Sequence, residues 1–366
     1  MLSLAKAKEK ALKALSARKL MERGWLSALL GYLAKKEELK VRLKYIGDVT
    51  LQREEFEILA IFTYYASKCW PGLPEELART FSSSLEPRRA FSLLLTGLSL
   101  ASNACKLQSS GNKVSINMSP ESLTLTSWTQ SSTVSINMSP KRLSLEVNGV
   151  SAALNPNCVT RSLSEVFVDV QYEVPEVLSG LRGRDVIDVG ASVGDTALYF
   201  ILNGARKVIA VEPLPNVARC AEENLKLNNV ADKVKVINAA LSDEPVSIPC
   251  NTDTWLSASF STLKGNGPCK VPGVTLGYLL NMVEDPYLLK MDCEGCEAQV
   301  ILGPERERLR AFEHIIFETH PFITGVSNEE LLASLKELGF ECRLHTRGPE
   351  LGRNVYYCKN SKLKTG

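Results

Sequence analysis

The feature that most constrains the fold of this 366-residue chain is an alternation of apolar strand-like runs and helical stretches after residue 161. The strand-like runs are aliphatic at nearly every position, as in strands that are buried on both faces. Such an alternation is typical of a mainly parallel sheet with helices on both sides, so the pattern predicts an α/β domain. The predicted strands cover residues 185–189, 207–211, 234–241, 287–291, 314–318 and 355–358, and the predicted helices cover residues 194–203, 215–228, 296–302 and 328–338.

The first 160 residues follow a different pattern and predict a smaller α+β region. Apolar residues at helical spacing indicate an amphipathic helical segment over residues 2–30, interrupted near Gly24. We interpret this segment as packing on its own domain in preference to a membrane-surface or nucleic-acid contact. The pattern also predicts a strand over residues 41–45 and helices over residues 54–69 and 74–81.

The heptapeptide VSINMSP occurs twice between these two regions, at residues 114–120 and 134–140. In each copy Val, Ile and Met alternate with polar residues, which is typical of a half-buried strand. Two copies are too few for a solenoid, so we expect a small antiparallel β element, a structural meander in preference to a binding surface. We therefore predict two domains, residues 1–160 as a region that selects the substrate or a partner and residues 161–366 as the α/β domain.

Charge and cysteine content narrow the class of protein. The net charge is only +2, but residues 1–45 hold twelve Lys and Arg against four Glu. The ten cysteines lack the regular spacing of a disulfide framework and no secretory signal opens the chain, so we expect mostly reduced cysteines and a cytoplasmic protein. The longest apolar stretches, residues 25–34 and 93–101, are too short to cross a bilayer, so no transmembrane segment is predicted.

The first predicted strand of the α/β domain runs into a glycine-bearing turn, and a helix follows. This order places a ligand at the carboxyl edge of the sheet, close to the backbone. A dinucleotide fingerprint would have a glycine where Ser192 stands, and Asp188 precedes Gly190 by two residues. A pyrophosphate would be repelled by that carboxylate, whereas the ammonium of S-adenosylmethionine would be attracted. The pattern disfavours a dehydrogenase and favours S-adenosylmethionine.

An acidic residue, Glu212, ends the second predicted strand, 22 positions after Gly190. A carboxylate at this edge can accept hydrogen bonds from both ribose hydroxyls of an adenosine. By itself, a glutamate at this position is more often the first residue of a helix than a ligand-binding residue. Together with the glycine turn it predicts a ribose contact.

Five motifs in this order resemble the FkbM-type methyltransferases, which are class I S-adenosylmethionine enzymes that mostly methylate hydroxyl oxygens of sugars and natural products. The likeness extends from about residue 166 to residue 357. The motifs are DVGASVGDT at 188–196, VEP at 211–213, NAALSD at 238–243, LKMDCEGCE at 289–297 and IFETH at 316–320.

The resemblance implies a class I, Rossmann-like domain with a mainly parallel sheet, and it implies roles for single residues. The turn after the first strand would surround the methionine part of the cofactor, Glu212 would hold the ribose, and Asn238 and Ala239 would border the adenine. Asp292 would face the methyl group and the acceptor, with Glu294, Glu318 and His320 as rival bases. The complete set of implied cofactor-binding residues is Asp188, Gly190, Ala191, Ser192, Gly194, Asp195, Thr196, Glu212, Pro213, Asn238, Ala239 and Ala240.

The leading functional prediction is methyl transfer to a hydroxyl oxygen of a small molecule, sugar or glycan. An RNA methyltransferase that uses the basic N-terminal segment is the alternative, and a non-catalytic S-adenosylmethionine-binding module is a third reading. Cys293 and Cys296 form a C-x-x-C pair, which is typical of redox or zinc sites. No second C-x-x-C or spaced histidine pair accompanies it, so no metal is predicted. Of the three histidines, His314 enters a strand and is interpreted as structural.

Overall fold

The protein divides into two compact units, Met1–Asp169 and Val170–Gly366. The division follows residue 169, whereas the sequence placed a boundary at 160. The computed structural model describes residues 12–362 apart from 83–84, 120, 129–132, 148, 161, 170, 251–260, 265–266 and 348–353. The first ten residues of the predicted amphipathic segment, 2–11, therefore lie outside the described residues.

The N-terminal unit contains a three-stranded antiparallel sheet, a group of helices and a five-stranded antiparallel meander. Its strands are β1 (Met21–Arg23), β2 (Glu38–Leu43), β3 (Gly47–Gln52), β4 (Lys113–Ser119), β5 (Ser122–Trp128), β6 (Thr133–Met138), β7 (Leu143–Val147) and β8 (Val150–Leu154). Its helices are α1 (Trp25–Leu33), α2 (Arg53–Cys69), α3 (Leu73–Ser82), α4 (Pro87–Ser109) and α5 (Ser162–Phe167), and residues 12–17 are helical as well.

The predicted helices over 54–69 and 74–81 are confirmed as α2 and α3, and the predicted β element is confirmed as β4–β8. A capping box starts α2, since Gln52 and Glu55 each accept a hydrogen bond from the other's backbone. The meander buries alternate side chains, as its sequence predicts. The break near Gly24 is also confirmed, but β1 precedes it, so the amphipathic segment is not continuously helical.

Helix α4 was not predicted from the sequence. It spans 23 residues and is long and apolar enough to cross a membrane, so the expectation that no segment has that length is wrong. Of its most apolar stretch, 83% is buried inside the structure, and Phe91, Leu94 and Leu98 are fully buried. In the structure α4 is the core helix of its unit.

The C-terminal unit is built on a seven-stranded sheet with the order β11-β10-β9-β16-β17-β19-β18. The five strands from β11 to β17 are parallel, and β19 is antiparallel to both of its neighbours. The strands are β9 (Asp185–Val189), β10 (Lys207–Val211), β11 (Val234–Ile237), β12 (Ala240–Leu241), β13 (Val246–Ile248), β14 (Cys269–Val271), β15 (Gly273–Val274), β16 (Pro286–Met291), β17 (His314–Glu318), β18 (Phe340–Arg347) and β19 (Asn354–Asn360). The helices are α6 (Pro175–Gly180), α7 (Asp195–Leu202), α8 (Pro215–Leu227), α9 (Leu276–Leu280), α10 (Cys296–Leu302), α11 (Pro321–Thr324) and α12 (Asn328–Leu338). The predicted mainly parallel α/β domain is confirmed.

The order of strands reverses at β9, which has β10 on one side and β16 on the other. In open α/β sheets, ligands bind in the crevice that such a reversal leaves at the carboxyl ends of the strands. The register pairs Met291 with Val189, and the backbone N–H of Asp292 donates to the carbonyl of Val189 at 3.0 Å. The loops that follow β9 and β16 therefore lie side by side at this crevice.

All ten cysteines are disulfide-bonded, so the expectation of mostly reduced cysteines is wrong. The fold brings together cysteines whose spacing in sequence has no regular pattern. Among the bonds are Cys69–Cys105, Cys250–Cys269, Cys293–Cys296 and Cys342–Cys358. The cytoplasmic location, which depended partly on reduced cysteines, stays a prediction.

Candidate active site

The loop after β9 lies against the loop after β16 with no room for a side chain at Gly190. A Cβ atom there would come within 1.8 Å of the carbonyl oxygen of Asp292, so only glycine fits. Ser192 in the same loop has a positive φ of 48°, which is uncommon for a residue with a side chain. Its Oγ is buried and has no hydrogen-bond partner among the described residues. The loop thus presents an unsatisfied polar atom, which is a feature of sites that bind a ligand.

Asp188 is fully buried beneath this loop, where it pairs with a lysine that the sequence analysis did not single out. The ammonium of Lys290 lies 3.0 Å from Oδ1 of Asp188, and the hydroxyl of Thr196 donates to Oδ2 at 2.5 Å. Lys290 also donates to the carbonyl of Gly190 at 2.8 Å. Burial opposes the charge on Lys290, but Asp188 and Asp292 outweigh it and raise the lysine pKa. The Asp188–Lys290 pair therefore fixes the loop from below.

Glu212 ends β10 beside the same loop and is 6% exposed. Its two carboxylate oxygens accept hydrogen bonds from the backbone N–H groups of Ser192 at 3.0 Å and Leu214 at 2.9 Å. Burial nevertheless raises the pKa of Glu212 to about 7, because these two bonds replace only part of the lost hydration. The Asn238 amide donates to the carbonyls of Glu212 and Pro213, at 2.9 Å in both cases, and so ties the ends of β10 and β11 together.

The remaining cofactor-binding candidates line the same sheet edge. Gly194 caps α7 with a positive φ, and Asp195 and Thr196 are buried in the first turn of that helix. Ala239 and Ala240 are buried just after β11, where Ala240 begins β12. These residues shape the edge with backbone and small side chains. Their contact with a cofactor stays a prediction.

The four predicted catalytic residues come together at the carboxyl ends of β16 and β17. His320 is 5% exposed and stands at the centre of the group. Its Nε2 lies 3.4 Å from an oxygen of Glu294, 3.7 Å from one of Glu318 and 3.8 Å from one of Asp292. On the other side of the ring, Nδ1 lies 2.7 Å from Glu297, which is fully buried. We call Asp292, Glu294, Glu318 and His320 the acidic cluster.

The acidic cluster changes the protonation of its histidine. Burial alone would lower the pKa of His320, but the hydrogen bond to Glu297 and the charges of Glu297, Glu294 and Asp292 raise it to about 9. Perturbed pKa values of this size at the edge of a sheet are typical of functional sites. His314, by contrast, contacts Tyr357 at the amino end of β17, and burial lowers its pKa to about 4. The two histidines therefore lie at opposite ends of β17, and the catalytic role of His320 stays a prediction.

Three residues at the site were given no role by the sequence analysis: Glu297, which contacts His320, and also Tyr172 and Lys290. Tyr172 is 3% exposed, and its hydroxyl donates to Oδ2 of Asp292 at 2.7 Å. It lies in an irregular segment well before the first motif, so no local pattern marks it. Lys290, in contrast, is a single cation in the aliphatic strand β16, and that misfit is a signal that could have identified it.

The loop after β16 has an unusual backbone. Glu294 has a positive φ of 54°, and Gly295 follows with 123°. The Cys293–Cys296 disulfide spans this turn, so the C-x-x-C sulfurs are bonded to each other and are not thiolates. Non-glycine residues in the left-handed region cost energy and cluster at functional sites. The turn directs Glu294 towards His320.

The C-terminal unit is similar to known methyltransferases. Residues 188–342 match the model of the Methyltransferase FkbM domain. Protein arginine N-methyltransferase PRMT10 of Oryza sativa subsp. japonica is 42% identical over 76 residues, 21% of this chain and 19% of that protein. Methyltransferase sdnD of Sordaria araneosa is 25% identical over 215 residues, 48% of this chain and 80% of that protein. Among solved structures, methyltransferase FkbM from Methylobacillus flagellatus KT matches 54% of this chain and 53% of its own with 12% identity and a TM-score of 0.31.

The chain spans about a fifth of the length, 19%, of the rice arginine methyltransferase that it matches. That match covers too little of either protein to carry an acceptor from one to the other. The predicted resemblance to the FkbM family is confirmed over residues 188–342.

Proposed function

Since the chain carries an FkbM methyltransferase domain with a class I, Rossmann-like sheet, we propose that it transfers the methyl group of S-adenosylmethionine to a hydroxyl oxygen of a small molecule, sugar or glycan. The observation that carries the proposal is the acidic cluster, which lies beside the loop that follows β9. A neutral hydroxyl is a weak nucleophile until its proton is removed, and the cluster offers three carboxylates for that task. The raised pKa of His320, about 9, keeps its ring protonated at neutral pH, so that it becomes a base only after losing this proton.

The carboxyl edge of the sheet fits the cofactor. The buried Oγ of Ser192, which has no partner among the described residues, can bond to the methionine part. Each oxygen of Glu212 accepts one backbone N–H and keeps a further lone pair, so the carboxylate can also accept the ribose hydroxyls. Gly190 allows close approach to the backbone. The bound cofactor supplies an electrophilic methyl group on a sulfonium centre.

The chain's own residues would align the acceptor and take its proton. Tyr172 donates to Oδ2 of Asp292, so the carboxylate has a fixed orientation and its Oδ1 faces the cluster. Glu294 and Glu318 lie within reach of the same space and are the rival acceptors for the hydroxyl proton. A transfer of this kind depends mainly on alignment of acceptor, carbon and sulfur, which rigid strand ends favour.

We extend the proposal to the N-terminal unit, which lies outside the FkbM match and is the candidate for selecting the acceptor. The alternatives of RNA methylation and non-catalytic cofactor binding gain no supporting observation from the part of the chain that the structure describes.

An acceptor screen tests the proposal. The full-length chain would be incubated with methyl-labelled S-adenosylmethionine and four acceptor classes: sugars and glycans, hydroxylated small molecules, RNA, and arginine-containing peptides. We expect label only in the first two classes, as a methyl ether that mass spectrometry locates on oxygen. Label confined to RNA or to arginine peptides would contradict the acceptor assignment, and label in none of the classes, with no cofactor binding by calorimetry, would contradict the activity.

A further inference from the structure

Four carboxylates converge on one buried histidine, His320, at the carboxyl ends of β16 and β17. Asp292, Glu294, Glu297 and Glu318 all lie within 4 Å of the His320 ring nitrogens. Buried carboxylates at such density are costly unless a cation joins them.

His320 gives the second, independent indication. The residue is 5% exposed, and its Nε2 is buried with no hydrogen-bond partner among the described residues. Three carboxylate oxygens surround this atom at 3.4 to 3.8 Å, too far or poorly aligned for a hydrogen bond. A buried ring nitrogen that points into carboxylates without bonding to them is suited to coordinate an ion between them. The ion would displace the proton of the His320 ring, which is released to solvent on binding.

The distances fit one ion. The ligand atoms of Asp292, Glu318 and His320 all lie within 4.8 Å of one another. Two ligands that are each about 2.1 Å from a metal lie about 3.0 Å apart at a right angle and about 3.4 Å apart at the tetrahedral angle. The separations around Nε2, 3.4 to 3.8 Å, are equal to or slightly above the tetrahedral value, so small side-chain movements would close them onto a cation.

The other hydrogen bonds of the candidate ligands also support a metal site. The other ring nitrogen, Nδ1, contacts Glu297 at 2.7 Å, and a second hydrogen bond from the Gly295 backbone at 3.0 Å holds that carboxylate. Metal-bound histidines characteristically use their far nitrogen in this way, which fixes ring orientation and raises basicity. Tyr172 similarly occupies Oδ2 of Asp292 and leaves Oδ1 directed at the cluster.

We propose that Asp292, Glu318 and His320 bind one divalent cation, with Glu294 as a fourth ligand. A set of one imidazole and several carboxylates suits a first-row transition-metal ion, for which Mn²⁺ is the probe. The sequence predicted no metal, because the ligands come from two different strand ends and have no motif spacing. In catalysis the ion would hold the acceptor oxygen and favour loss of its proton. That catalytic role depends on the proposed function, whereas binding of the ion does not.

Metal titration of the full-length chain tests the site. Protein stripped with a chelator would be titrated with Mn²⁺, and free ion would be followed by electron paramagnetic resonance. We expect one Mn²⁺ per chain, and at least tenfold weaker binding in His320→Gln and in Glu318→Gln. His314→Gln is the matched control, since this buried histidine lies at the opposite end of β17 and should leave Mn²⁺ binding unchanged. Circular dichroism would verify that each variant is folded.

Two results would overturn the site: wild-type protein that takes up no Mn²⁺, or folded His320→Gln that binds it as tightly as wild type. If His320→Gln fails to fold, Glu318→Gln decides by the same criterion. Calorimetry with S-adenosylmethionine on the same stripped protein separates this inference from the proposed function. Cofactor binding without metal binding would reject the metal site alone, and metal binding without methyl transfer would support the site while contradicting the function.

Discussion

Buried carboxylates at the two ends of the central sheet differ in their hydrogen-bond donors. At the amino end, the fully buried Asp185 accepts two hydrogen bonds from the Arg206 guanidinium, at 2.9 and 2.7 Å, and further bonds from the backbone N–H groups of Glu284 and Asp285. At the carboxyl end, two backbone N–H groups among the described residues donate to Glu212, and the three carboxylates of the acidic cluster surround one histidine. The carboxylate of Asp185 is thus bonded to a guanidinium and to the backbone, whereas the donors described for Glu212 are backbone N–H groups.

The pKa values of two buried carboxylates show the same difference. Burial would raise the pKa of Asp185, but its bonds to Arg206 and the backbone outweigh burial and lower it. Burial dominates at Glu212 and raises the pKa to about 7. A carboxylate that the protein satisfies stabilises the fold, whereas one that it leaves short of donors has capacity for a ligand. This difference favours the carboxyl end of the sheet as the edge that binds a ligand.

The largest expected effect comes from comparing one substitution at each end of the sheet. Asp292→Asn keeps the size of the side chain but removes its charge, so we expect turnover to fall by about 10²–10⁴-fold while the melting temperature changes little. Asp185→Asn is the matched control at the other end. Loss of its charged hydrogen bonds should cost about 2–3 kcal/mol of stability, or about 5–10 °C in melting temperature, with turnover retained well below melting.

The pH dependence of Asp185 provides a check on this assignment. Folding lowers its pKa, so its stabilisation is complete above the unfolded value and is lost as the pH falls through the folded value. The difference in unfolding free energy between wild type and Asp185→Asn should therefore become smaller in acid.

Near-normal turnover of Asp292→Asn at saturating substrates would show that the carboxylate of Asp292 is not the reactive group and would move the search to Glu318 and His320.

A smaller effect is expected at Glu212. Only the ionised carboxylate accepts both ribose hydroxyls, and its pKa of about 7 means that it gains a proton as the pH falls through neutrality. Affinity for S-adenosylmethionine should therefore weaken by about tenfold between pH 8 and pH 6, measured by calorimetry. In Glu212→Gln the affinity for S-adenosylmethionine should be weak and should not show this tenfold pH dependence. A wild-type affinity that is constant over this range would remove the ribose assignment.

Much of the α/β domain was predictable because its strands and helices carry local patterns. The strands 185–189 and 207–211 and the helix 296–302 have the bounds that the sequence predicts. Helix α4 was missed because nearly all of its side chains from Leu93 to Cys105 are buried, so it has no polar face to reveal a helical period. Strand β18 was missed for the opposite reason, since this edge strand is largely exposed and does not alternate.

The candidate site was predictable only in part. The acidic cluster was found because carboxyl ends of adjacent parallel strands must meet at one edge, wherever their residues lie in the sequence. Tyr172 and Glu297 were not assigned roles, because their contacts with Asp292 and His320 exist only after folding. The expectation of mostly reduced cysteines was wrong for the same reason, because folding brings together cysteines that are far apart in the sequence. The contact of Asp188 with the cofactor stays a prediction, and the structure adds a pairing of its carboxylate with Lys290 below the loop.

The most direct test of the account is a crystal structure of the full-length protein with S-adenosylhomocysteine, the product of methyl transfer. We predict that the ribose hydroxyls donate to Glu212, that the homocysteine part lies along the loop from Gly190 to Gly194, and that the sulfur faces Asp292 across the crevice between β9 and β16. A product bound away from this crevice, or one that makes no contact with Glu212, would contradict the claim that the carboxyl end of the sheet is the methyl-transfer site.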